Sequence, residues 1–114
     1  LIKNATDTTP LGTAPLAIVV IADGQKSDVW VEDASIVSIL IQLEAEKLGL
    51  GSTWIQLRRR EGDSGPSEEA FRQELGIPEH YGVLSVVAIG HKNEQKKPYT
   101  DADLDFTKVH YETF

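Results

Sequence analysis

Three kinds of apolar pattern run along this 114-residue chain. From Leu16 to Ala22 the run "LAIVVIA" is apolar at every position and rich in β-branched residues, which predicts a strand buried on both faces. "STWIQL" (52–57) and "GVLSVVAIG" (82–90) predict two further strands. Between the first two lies "EDASIVSILIQLEAEKLGLGS", whose apolar positions recur every three or four residues. Ile36, Ile39, Leu40, Leu43 and Leu48 form one stripe, and Val37 and Ile41 widen it. So broad an arc predicts a long helix covered on more than one side, by its own sheet and by another subunit. Asp33 is placed to cap that helix, and Gly49 or Gly51 to stop it.

Polar punctuation divides the rest. "EGDSGPS" (61–67) predicts a loop whose Ser67 caps a short helix, "SEEAFRQELG". Glu68 and Glu69 fall in its first turn, favoured by the helix dipole, and Gly76 and Pro78 end it. Residues 1–14 read as an extended lead-in and 91–114 as an extended tail. The tail carries Phe106, Val109, Tyr111 and Phe114, which need a partner surface to escape water. The order strand, helix, strand, helix, strand predicts one domain over 1–114, an α+β fold with helices layered on a sheet.

Composition narrows the field. Eighteen acidic residues against eleven basic ones disfavour a general nucleic-acid or anionic-membrane binder. The absence of cysteine removes disulfides, thiolate metal sites and thiol nucleophiles. The longest apolar run, "APLAIVVIA", is too short to span a bilayer, and no signal peptide opens the chain, so a cytoplasmic protein is expected. No methionine occurs at all, so a processed chain, a fragment or an incomplete sequence is expected.

Candidate chemistry is sparse. His80, His91 and His110 are widely separated and form no metal-ligand pair. "GDSG" sits in a turn context without a partner histidine, and "GLGS" follows a helix where a phosphate-binding loop would follow a strand. The basic run Arg58–Arg60 is the one local anomaly. On an extended strand Gln56, Arg58 and Arg60 would share a face, opposite Ile55, Leu57 and Arg59. Such a run is either a solvated strand end or a grip for a phosphate or carboxylate.

Several segments taken in order are more specific than any one residue. "APLAIVVIAD", "WVEDASIVSILIQLEAEKLGLGSTWIQL", "LGIPEHYGVLSVVAIGHKNEQKKPY" and the ending "KVHYETF" closely resemble the C-terminal half of the nitroreductase family. The resemblance implies a three-layer α/β sandwich of the FMN-dependent nitroreductase type, with a mixed central sheet and a long dimer-interface helix, here as a partial fold. It implies FMN as cofactor, NADH or NADPH as co-substrate, and a nitroaromatic, quinone or similar acceptor. It also implies a homodimer, or a companion chain carrying the N-terminal half with its arginine- and serine-rich phosphate clamp. Trp54, Ile55, Gln56 and Leu57 would pass the flavin edge, with the amides of Gln56 and Leu57 near N5 and O4. Arg58 would lie by the cofactor or the incoming anionic nucleotide, and Lys96 and Lys97 by the FMN phosphate. No side chain here need be a general acid or base, since hydride chemistry belongs to the cofactor. The alternative is a truncated, non-catalytic remnant that dimerises without flavin. A relative devoted to flavin fragmentation or dehalogenation is a third possibility.

Overall fold

The computed structural model describes residues 9–63 and 65–114. Its body is a three-stranded sheet of β1 (Leu16–Asp23), β2 (Leu50–Gln56) and β5 (Tyr81–His91). The long helix α1 (Trp30–Lys47) joins β1 to β2, and α2 (Ser67–Leu75) precedes β5. Two two-residue strands, β3 (Glu61–Gly62) and β4 (Gly65–Pro66), pair in a small ribbon between β2 and α2.

The strand order is β1-β5-β2, with β5 antiparallel to both neighbours. β1 and β2 therefore run parallel to each other but are held apart by the returning β5. The mixed sheet expected from the resemblance takes the form of two antiparallel ladders among the described residues. Their shared strand, β5, is the most apolar, with Val83 through Ile89 buried throughout.

Each face of the sheet carries one layer. On one side Ile55, Leu57, Val83, Val86 and Ala88 enclose Phe71 of α2, with Leu11 and Ala14 of the lead-in closing the cluster. On the other, α1 lies against Val20, Leu84, Val87 and Ile89 through Ala34 and Ala45. The inward stripe of α1 is thus small, Ala34, Ser38 and Ala45, which brings the helix close to the sheet. Ser38 makes a buried polar link. Its hydroxyl donates to the Ala34 carbonyl at 2.8 Å and meets the Ser85 hydroxyl at 2.8 Å. Because Ser38 spends its proton on Ala34, Ser85 is the donor between the two.

The large apolar residues of α1 face outward. Ile36, Val37, Ile39, Leu40 and Leu43 are all exposed, Leu40 to 56%. The two-sided helix of the sequence reading is there, and among the described residues only one side is covered. The glycine stops are also in place, Gly49 at φ 75° and Gly76 at φ 65°, conformations in which a side chain is strained.

Three local expectations need correction. α1 starts at Trp30, so Asp33 lies inside its first turns and does not cap it; its carboxylate accepts from the Ser27 hydroxyl at 3.2 Å. The Trp30 indole packs on the Gly82 backbone, where any Cβ would overlap it. The ring, partly buried against Val20, Ala34 and Leu84, thus anchors the helix start at Trp30. Ser67 likewise is the first helical residue and not the cap, a place taken by Pro66. Its N–H is held by the Arg60 carbonyl at 2.8 Å. Its buried hydroxyl has no hydrogen-bond partner among the described residues. Finally, the lead-in predicted as extended over 1–14 falls partly outside the described residues, and within its described part, 9–14, Thr9–Gly12 forms a 3-10 turn.

Beyond β5 the chain is extended, with short 3-10 turns at Asp101–Asp103 and Phe106–Lys108. Every residue from 91 to 114 is exposed, including Phe106, Tyr111 and Phe114.

Candidate functional site

The site is built where β2 ends. β2 is an edge strand, so one row of its backbone groups has no partner in the sheet. Ladder bonds alternate along an antiparallel strand, and the Leu57 N–H donates to the Leu84 carbonyl at 3.0 Å. Ile55 therefore also faces β5, opposite Val86, while Trp54 and Gln56 turn their peptide groups to the open edge. Of the two amides that the resemblance directs at a ligand, that of Leu57 is taken, and that of Gln56 is offered.

Side chains lock this edge in place. The Trp54 indole N–H donates to Gln56 Oε1 at 2.9 Å, and Gln56 Nε2 donates to the Arg58 carbonyl at 3.1 Å. With both ends of its amide engaged, Gln56 steadies the backbone on either side of it. Leu57 is fully buried in the core beneath, and Ile55 nearly so. A donor aimed from such a strand costs little to reorganise when a ligand arrives.

The strand stops at a β-bulge. Opposite Val20 and Ile21 the β5 register slips by one residue, leaving Leu84 as the extra one. Its carbonyl accepts from both Leu57 and Arg58, at 3.0 and 3.1 Å. The Val83 N–H at the same bulge donates to the Glu68 carboxylate of α2 at 3.1 Å. The chain then turns sharply, with the Arg60 N–H donating to the Leu57 carbonyl at 3.1 Å and Arg59 at φ 56°. The two-residue alternation therefore ends at Gln56, and Gln56, Arg58 and Arg60 do not share a strand face. Arg58 instead folds back, its guanidinium 5.7 Å from the centre of the Trp30 ring. Trp30 is the member of this group that the sequence reading missed. Its one signal is position, just ahead of the periodic run, and that signal is weak.

Lys96 and Lys97 lie elsewhere. Leu50 pairs with His91 at one end of the β2–β5 ladder, and Gln56 with Ser85 at the other. The segment bearing the lysines leaves the sheet from the Leu50 end, six residues along β2 from Gln56, or about 20 Å. Lys96 is exposed and 3.8 Å from Glu94. Among the described residues, no three His, Asp or Glu groups cluster as a metal site, and no helix is long and apolar enough to cross a membrane.

A split strand–helix–strand unit with a rigid edge amide and an exposed apolar helix face defines a layered α+β body. The chain belongs to the nitroreductase family, whose model matches residues 4–91. It is 51% identical to an FMN-dependent nitroreductase of Clostridium difficile, with a TM-score of 0.87 over 91% of this chain and 61% of that one. A nitroreductase with bound FMN from Desulfitobacterium hafniense is 28% identical, with a TM-score of 0.63 over 91% of this chain and 54% of that one. An Archaeoglobus fulgidus protein, named as a candidate NADH dehydrogenase/NAD(P)H nitroreductase, is 40% identical over 108 residues, 90% of this chain and 59% of that protein. The chain thus spans between half and two thirds of these relatives' lengths.

Proposed function

We propose that this chain supplies the flavin-edge strand and the assembly helix of an FMN-dependent oxidoreductase, which passes hydride from a reduced nicotinamide nucleotide to a nitroaromatic, quinone or similar acceptor. The observation that carries the reading is the Gln56 peptide group, offered at the open edge of β2 on a strand fixed by its neighbours. FMN, when bound, supplies the hydride chemistry itself. The chain's part is to hold and orient. The Gln56 N–H donates to an acceptor on the ring edge without adding a titratable group. Trp54 and Ile55 keep the strand straight, and Leu57 anchors it in the core. Arg58 places a fixed positive charge one turn away. Lys96 and Lys97, if they reach a phosphate, do so from the tail.

The same reading assigns the uncovered surfaces to a second copy of the chain, or to a companion chain carrying the rest of the fold. Ile36, Val37, Leu40 and Leu43 make an apolar face left exposed among the described residues, and the tail presents Phe106, Tyr111 and Phe114, also exposed. An absorbance scan with added FMN tests the proposal. Visible flavin bands that co-purify or titrate in, and bleach when NADH or NADPH is supplied, are expected. Protein that stays colourless with excess FMN replaces this reading with that of a flavin-free remnant.

A further inference from the structure

Carboxylates outnumber basic groups in this chain, so a cation left without one is conspicuous. Lys26, Lys47, Arg72, Lys92, Lys96 and Lys108 each stand 3.9 Å or closer to an Asp or Glu oxygen. Arg58, Arg59, Arg60 and Lys97 have no such partner among the described residues, and the three arginines go without one although Glu61 and Asp63 follow them directly.

The turn that carries them is also costly. Arg59 occupies the left-handed region at φ 56°, where a side chain costs about 1–2 kcal/mol and glycine nothing comparable. Strain of this kind gathers at ligand sites. The base of the turn is meanwhile rigid. The Arg58 amide is bound by the Leu84 carbonyl, its carbonyl accepts from Gln56 Nε2, and its guanidinium rests on Trp30, which is seated on Gly82. One turn just past the proposed flavin edge thus carries three permanent cations, each with a planar fork of donors, and that of Arg58 is held on Trp30.

Arginine forks suit carboxylates and phosphates, and three in a row exceed what one carboxylate monoanion can use. Resting on the function proposed above, in which the FMN phosphate is left to Lys96, Lys97 and the clamp of the N-terminal half, the remaining candidates are two nicotinamide nucleotides that differ by a single phosphomonoester. We infer that the Leu57–Arg60 turn binds the 2′-phosphate of NADPH and makes the protein select NADPH over NADH.

Calorimetric titration of the purified chain with adenosine 2′,5′-bisphosphate and with adenosine 5′-monophosphate tests this without any turnover. The bisphosphate should bind at least about tenfold tighter, since charge-assisted hydrogen bonds to one extra phosphate are at stake. Raising the salt concentration should shrink that preference. Arg58→Ala plus Arg60→Ala should abolish it. Arg59→Gly, which suits the left-handed turn and keeps the fold, should reduce it. Equal affinities, no binding of either nucleotide, or a preference untouched by all three substitutions would overturn the inference. The flavin scan described above decides the oxidoreductase reading separately, because a protein that bleaches equally with NADH and NADPH keeps its function and loses only this selectivity.

Discussion

Arg59 shows how much one torsion can say. A β-turn with its third residue at positive φ is where glycine or asparagine ordinarily sits, yet this chain places a long cation there. Arg59→Gly should therefore leave stability unchanged or raise it by up to about 1 kcal/mol, the relief of strain being offset by the added freedom of the unfolded chain. Urea unfolding checks it, and a loss of stability would mean that the Arg59 side chain contributes to the fold. At the other end of the molecule Asp103 accepts from the Thr100 N–H at 2.8 Å and from its hydroxyl at 3.0 Å. The backbone bond first, and the hydroxyl second, hold its carboxyl below the usual range. Because the ionised form makes the cap, the cap is fully present above the ordinary carboxylate pKa and is lost as pH falls through the lowered one. The Thr100 amide shift, followed by NMR, should titrate at lower pH than an aspartate in an unstructured peptide.

At the scale of elements, α1 is fastened to the sheet by small residues and one hydroxyl pair. Ser38→Ala removes the acceptor for Ser85 and leaves a buried hydroxyl unpaired, at a cost of about 1–3 kcal/mol. Ser85→Ala leaves Ser38 still bonded to Ala34 and should cost less. The double variant should be less destabilised than the sum of the two, a coupling that thermal or urea unfolding of all four proteins will read. The bulge at Leu84 acts at this scale too. It lets one carbonyl hold both Leu57 and Arg58, which ends β2 at Gln56 and starts the arginine turn. It also presents the Val83 amide to Glu68, tying α2 to the strand that places the site.

For the whole molecule the decisive feature is what stays uncovered. A helix with Ile36, Val37, Ile39, Leu40 and Leu43 exposed is amphipathic only if its outer face meets another surface. With a second copy seated there, Leu40→Glu buries a charge in the contact and should shift the protein toward monomer in light scattering after size exclusion. Flavin retention should fall with it. If Leu40→Glu leaves the mass in solution unchanged from that of the parent chain, the α1 face is not the contact.

The chain's own pattern determined the three strands, the long helix with its two apolar sides, both glycine stops and the family resemblance, because periodicity and punctuation act over a few residues. It left the arginines undecided between solvent and ligand. The tertiary structure decided what depends on contacts across the sheet: that α1 begins at Trp30, where an indole finds the bare backbone of Gly82; that β5 divides β1 from β2; and that the strand ends at Gln56. None of these is encoded locally, since Trp30 and Gly82, or Leu57 and Leu84, become neighbours only when the sheet closes. For the same reason the Gln56 amide could be singled out from that of Leu57 only once the register of β2 against β5 was known, because a one-residue step in an antiparallel ladder exchanges a spent donor for a free one.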